Sequence, residues 1–266
     1  MPVAAPTRLR HWVERLPTEG RYVFTRAEAA AASAASWEAD KMSLHRLERK
    51  GVIVRPRRDF FVLVPPEYRA AGSPPASWFV DPLMRHLGRR YYVALLTAAA
   101  IHGAGHQQPM AFQVLADAPE RNFTVGRVHV EFHASRLVEG AATQAVQTET
   151  GHMVVATPET TAFDLVRFPA ACGYWDNVAT VLSELAERLD PGRLADGAAR
   201  VARSDAQRLG WLLDLVHESQ LADALARTLE GRRLLPTPLS TAHGVGGAPL
   251  DPRWRVLVNQ AVEPDL

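Results

Sequence analysis

SWEADKMSLHRLERKGVIVRPRRDFFVLV, residues 36–64, changes its period half-way along, and that change decides the fold of the front of the chain. Over 36–50, Leu44 and Leu47, with Trp37 on roughly the same side, fall on one face of a helix that advances about 100° per residue. The opposite face carries Glu38, Met42, His45, Arg46 and Arg49, with Lys41 at the flank. Gly51 stands where a helix ends in a left-handed residue, a conformation that is cheap for glycine alone. The pattern then becomes β-branched and aromatic, over 52–55 and 60–64, around Pro56-Arg57-Arg58-Asp59, which predicts a hairpin with a charged tip.

Upstream, a helix is expected over 9–16, ended by Pro17. A second helix starts at Thr25-Arg26-Ala27-Glu28, where the Thr25 hydroxyl can cap the Glu28 amide and the Glu28 carboxylate can reach back. A short Ser33-Ala34-Ala35 turn separates it from the third. Three helices and a two-stranded hairpin predict a winged helix-turn-helix, with the third helix sized for a major groove and the hairpin for phosphates or the minor groove.

Charge supports that expectation. Residues 1–69 hold 13 Lys/Arg against 8 Asp/Glu, while the whole chain nets only +1. Seven cations (Lys41, Arg46, Arg49, Lys50, Arg55, Arg57 and Arg58) fall within 41–58, against Glu48 alone. The expected contact set to double-stranded DNA is therefore Lys41, Met42, His45, Arg46, Arg49, Lys50, Arg55, Arg57 and Arg58, the wing arginines neutralising phosphate. Glu38 and Asp40 near the helix start oppose phosphate, though Glu38 can accept from a cytosine amino group. Trp37 is read as core. A solvated basic face with no ligand is the competing explanation for the cluster.

The proline-rich stretch 65–75 cannot sustain a helix or a central strand. It suggests a division into a DNA-binding domain over 1–66, a linker over 67–78 and a larger domain over 79–266. In the larger part, Asp81-Pro82 reads as the cap and first residue of a helix to 87, and 91–101 as a second, nearly all-apolar buried helix. Strands are expected over 112–116, 122–125, 128–133 and 152–156, with a weaker one over 143–150. Helices follow from a Thr157 cap to 168, then over 175–189, 191–202, 205–218 and 221–230, and a last strand over 254–258. Strands first and helices afterwards give an α+β class: a winged helix-turn-helix, then a mixed α/β domain whose antiparallel or mixed sheet is flanked by helices.

Composition bounds the function classes. Hydrophobic residues at 47% and charged residues at 22% fit a globular protein rather than a disordered or collagenous one. Cys172 is the only cysteine, which excludes an internal disulfide framework and a cysteine-based zinc site and fits a reducing, cytoplasmic compartment. The longest apolar stretch, 91–101, is too short to span a membrane, and residues 1–10 show no secretory signal.

Catalytic signatures are weak. His102 and His106 stand four apart, but Gly103 and Gly105 between them disfavour an intact helix. His129, Glu131 and His133 share one face of a strand, with the outer pair about 13 Å apart. There is no phosphate-binding Gly-Lys-Ser/Thr loop and no Gly-x-Ser-x-Gly elbow, and Glu159 and Asp164 read as capping and surface charge. Neither an enzyme nor a bound cofactor is expected.

Several stretches resemble a known family: FTRAEA (24–29), FFVLVPPEY (60–68), WF (78–79), LMRHLG (83–88), TPETTAFDLV (157–166), DNVATVL (176–182), DPRWR (251–255), VEP (262–264) and above all YYVALLTAAAIHGAGHQQP (91–109). Together they are similar to the AbiEi antitoxins of bacterial AbiE abortive-infection systems, which are type IV toxin-antitoxin systems. The resemblance implies a winged helix that binds inverted repeats in its own operon promoter and represses it. It also implies a C-terminal antitoxin domain that counteracts an AbiEii-like nucleotidyltransferase toxin without necessarily forming a stable complex with it. One departure is Asp40, on the inner side of the third helix where an apolar residue is expected. Two other classes stay open on the residues alone: a ligand-responsive winged-helix transcription factor unrelated to a toxin, and a metal-dependent nuclease.

Overall fold

Thr25 starts its helix as its neighbours dictate: the Glu28 amide donates to Thr25 Oγ1 at 3.2 Å, and the Thr25 amide donates to the Glu28 carboxylate at 2.7 Å. In the computed structural model, which describes residues 9–33, 35–105 and 109–265, this capping box lies between a strand and a helix. The order is α1 (Leu9–Arg15), β1 (Val23–Thr25), α2 (Arg26–Ala32), α3 (Trp37–Arg49), β2 (Ile53–Arg57) and β3 (Phe60–Leu63). Ser36 caps α3, and Gly51 follows it at φ 64°. The three strands pair antiparallel in the order β1-β3-β2. β1 is an addition to the expected pair; at three residues it is too short to show a period in the sequence. Leu9, Val13, Leu16, Phe24, Ala29, Leu44, Leu47, Ile53, Phe61 and Leu63 form the core of this winged helix.

β3 is buried on both faces. Phe61 and Leu63 point into that core, whereas Phe60 and Val62 point into the larger one beyond it. Residues 65–75 are likewise not an open tether: short 3-10 turns at Pro66–Tyr68 and Ala76–Trp78 bracket them, and the Trp78 ring meets Tyr22 and Tyr68 edge-on at 4.9 and 5.2 Å.

The larger part opens with α4 (Val80–Leu87), capped at Phe79 rather than at Asp81. Asp81 sits instead inside the first turn, where it pairs with Arg85 and accepts from the Tyr91 hydroxyl at 3.1 Å. The single helix expected over 91–101 is two elements, β4 (Tyr91–Val93) and α5 (Leu95–Ile101), broken where Leu95 takes φ 55°. β4 lies mid-sheet and is buried on both faces, so its apolar run has no alternation to distinguish it from a buried helix. Next come β5 (Phe112–Ala116), β6 (Phe123–Val125), β7 (Val128–Ala134), β8 (Thr143–Thr148) and β9 (Gly151–Ala156). The mixed sheet runs β6-β7-β5-β4-β9-β8, with β5–β7 and β4–β9 parallel.

The helices α6 (Pro158–Arg167, capped by Thr157), α7 (Tyr174–Leu185), α8 (Pro191–Ala198), α9 (Arg203–Leu215) and α10 (Ser219–Leu229) complete the core. A parallel pair, β10 (Thr237–Pro238) and β11 (Val256–Leu257), closes the chain; of the last strand expected over 254–258, two residues are strand. The class is α+β.

A polar cluster pins β4 to α6. Asp164 is 1% exposed; it accepts from the Tyr92 hydroxyl at 2.9 Å and from Arg167 at 2.8 Å, and Arg167 also donates to Ser135 Oγ at 3.0 Å. Burial raises the Asp164 carboxyl from 3.8 to about 6, against the pull of Arg167. The native state therefore holds this proton more firmly than the unfolded chain does. The resulting stabilisation is complete below about pH 4 and is lost as pH rises through about 6, a change of up to about 3 kcal/mol. Urea unfolding of wild type and Asp164→Asn at pH 4 and pH 7 is expected to give diverging profiles, the wild type falling relative to the variant on the alkaline side. Parallel profiles would contradict the assignment.

Candidate nucleic-acid interface

Ser33, just past the end of α2, sets the register of α3. Asp40 is 7% exposed and accepts a hydrogen bond from Ser33 Oγ at 2.7 Å. The expected apolar residue is thus replaced by a carboxylate that ties the end of α2 to the start of α3. With Asp40, Leu44 and Leu47 inward, Lys41, Met42, His45, Arg46, Arg49 and Lys50 all stand exposed, with Glu38 among them. Arg46 leans on Ser43 Oγ at 3.2 Å, and neither it nor Lys41, Arg49 or Lys50 makes an ion pair among the described residues.

Trp37, read as core, is 56% exposed. At the first helical position its ring is covered by a cation from the start of α2: the Arg26 guanidinium lies over it, 4.8 Å from the centroid. Arg26 also pairs with Asp59 in the β2–β3 turn at 2.5 Å, so one side chain spans from α3 to the hairpin. On the helical wheel Trp37 falls at the edge of the apolar face, an angle compatible with either reading.

The hairpin arginines diverge. Arg55 is exposed and 3.5 Å from Glu48, and the Arg58 side chain is 95% exposed at the tip. Arg57 does not join them. It pairs across the ladder with Phe60 after a register shift between Val54 and Arg57. Cross-strand partners share a face, and Phe60 faces the larger core, so Arg57 does too. The shift falls at Pro56, which has no amide to give the ladder. The Arg57 guanidinium donates to the Arg121 carbonyl and lies 4.5 Å from the Phe123 ring centroid and 5.5 Å from that of Phe132, where burial lowers its pKa. His86 Nε2 approaches the Arg58 carbonyl at 3.2 Å from the same side.

Arg57 and Arg58 are therefore expected to separate on substitution. Arg57→Ala costs stability, about 1–3 kcal/mol for an unpaired partner and lost packing. Arg58→Ala leaves the melting temperature alone and lowers the salt slope of DNA binding by about 0.9. Thermal unfolding and a salt titration of each variant check the split.

His102 and His129 are held by ordinary partners, whereas His133 Nε2 is buried without a hydrogen bond among the described residues. His102 Nε2 lies 2.7 Å from the Ala156 carbonyl, and His129 meets Thr124 Oγ1 at 2.8 Å and Glu131 at 3.2 Å. His133 stands 4.0 Å from Glu131, and burial lowers its pKa. His106 lies outside the described residues. Among the described residues no group of three or more His, Cys, Asp or Glu is placed to hold a metal ion, and no helix is long and apolar enough to cross a membrane.

Residues 92–215, from the central strand through α9, match the family model described as AbiEi antitoxin C-terminal domain. This stretch of the chain is similar to the C-terminal domain of the AbiEi antitoxins. That family is regulatory and non-enzymatic, and its domain carries an antitoxin role in a toxin-antitoxin system. The AbiEi match covers the sheet and the helices behind it, and lies outside the exposed basic surface of α3. The fold as a whole is similar to that in the crystal structure of RV2827C protein from Mycobacterium tuberculosis, at 18% identity and TM-score 0.67, covering 95% of this chain and 92% of that one. No curated protein matches the sequence.

Proposed function

We propose that this protein is an AbiEi-type antitoxin and a DNA-binding autorepressor: the segment 1–66 reads the promoter of its own operon, 67–78 joins it to the body, and 79–266 counteracts a nucleotidyltransferase toxin. The observation that carries the DNA reading is the set of cations Lys41, Arg46, Arg49 and Lys50, without an ion pair among the described residues, on the outward side of a capped α3, flanked by Arg58 at the hairpin tip. Side chains of this length on an exposed helix can reach base edges in a major groove, while Lys50, Arg55 and Arg58 lie where phosphates would run. Arg57 has no part in it.

Inverted repeats in the promoter would present two such grooves to two copies. The test is binding of full-length protein to a duplex of its operon promoter and to a scrambled duplex at one salt concentration. Preference for the promoter by about a thousandfold supports the reading, and equal affinities contradict it.

The antitoxin half is tested by growth rescue on co-expression with the toxin encoded beside it. Deleting 1–69 is the wrong tool, because Phe60 and Val62 would leave the larger core. Point substitutions on α3 separate the two activities without opening that core.

A further inference from the structure

Beside the Asp164 cluster lies a cavity of about 580 Å3. Tyr92, Asp164 and Arg167 are part of its lining, Phe163 and Val201 give it apolar wall, and Arg136 and Arg200 contribute exposed guanidinium groups. The charges do not cancel locally. Arg167 is paired with Asp164, and Glu139 is paired with Arg90 outside the cavity. Among the described residues, Arg200 donates to the Gly140 carbonyl at 2.9 Å, and neither it nor Arg136 makes an ion pair.

Two guanidinium groups that line one cavity and have no carboxylate partner among the described residues suit a phosphate, which takes planar paired donors. The volume is that of a small-molecule site, roughly 300–1000 Å3, and too large for a lone inorganic anion. The apolar wall offers a ring a surface to lie on. Asp164, besides its bonds to Tyr92 and Arg167, brings a carboxylate to the lining that can accept from a hydroxyl or amino group.

We propose that this cavity is a binding site for an organic phosphate of mononucleotide size, its phosphate on Arg136 and Arg200 and its ring against Phe163 and Val201. The site is independent of α3, so the proposal stands or falls apart from DNA binding. It gives the antitoxin half a small-molecule input through the arginine-bearing 3-10 turn Arg136–Gly140 and the end of α8.

The experiment is calorimetric titration of the full-length protein with the four nucleoside monophosphates, their triphosphates and inorganic phosphate. Saturable binding of at least one nucleoside phosphate is expected, weakened about tenfold or more by Arg136→Gln and by Arg200→Gln, with melting temperatures unchanged because both side chains are exposed. Inorganic phosphate is expected to bind at least about tenfold more weakly than that nucleotide. Arg46→Ala with Arg49→Ala serves as the control and should leave the titration unchanged. The proposal is overturned by the absence of saturable binding, by binding indifferent to Arg136 and Arg200, by inorganic phosphate binding as tightly, or by loss of binding in the α3 control.

Discussion

Alanine at both Arg46 and Arg49 lowers affinity for the operon promoter by about 30- to 1000-fold, equivalent to about 2–4 kcal/mol. Both guanidinium groups leave the outward side of α3, and neither touches the core formed by Leu44 and Leu47. A guanidinium that reads a base edge is worth about 1–3 kcal/mol of discrimination, so the promoter loses more than a scrambled duplex does. Arg46 gives up only its bond to Ser43 within the protein, so the melting temperature should not move. Growth rescue from the toxin should also survive, since the matched antitoxin domain begins at residue 92. Anisotropy titrations of wild type and double variant on both duplexes at fixed salt make the comparison. Equal losses on the two duplexes would assign both arginines to phosphates and take base reading away from α3.

The largest stability effect is expected far from that surface. Trp254 is 1% exposed; its indole Nε1 donates to Asp214 at 2.5 Å, and the Arg253 guanidinium lies 5.0 Å from its ring centroid. The ring lies directly on the backbone of α9 at Gly210, where a methyl group would strike three of its carbons. Trp254→Ala is expected to cost about 3–5 kcal/mol, the range for deleting a large buried ring. Gly210→Ala is expected to cost about 1–3 kcal/mol or more by overpacking, because the obstacle is a rigid ring held in place at its nitrogen. The two changes relieve each other: once the ring is gone the methyl has room, so the double variant should be more stable than the sum of the single losses requires. Urea denaturation of the four proteins gives the coupling energy. Strict additivity would mean that the contact between the tail and α9 does not hold the chain's end.

Much of the winged helix is legible in its sequence because local chemistry decides it. Thr25 and Glu28 fix one helix start, Ser36 and Gly51 bracket another, and the switch from a helical period to β-branched and aromatic runs at Val52 marks the hairpin. What escapes is decided by tertiary context. β4 hides because a strand buried on both faces, Tyr91-Tyr92-Val93, has no polar alternation. Arg57 looks like its neighbours Arg55 and Arg58, and only the register shift at Pro56 turns it onto the Phe123 ring. Trp37 looks like core, yet at the first position of α3 its ring stays exposed under the Arg26 guanidinium. Asp40 looks misplaced until Ser33 is brought beside it. The basic cluster itself is plain from composition, but which of its members face outward depends on pairings that span the chain.

The most direct test of the account is the salt dependence of promoter binding by the full-length protein. With Arg57 withdrawn, the surface offers Lys41, Arg46, Arg49, Lys50, Arg55 and Arg58; if about five of them meet phosphates, log K against log salt has a slope of about −4 to −5 per bound copy, at roughly −0.9 per contact. That slope, reduced by about one on Arg58→Ala and unchanged on Arg57→Ala, is the expected result. A slope near zero would contradict the claim that α3 and the hairpin tip dock on duplex DNA.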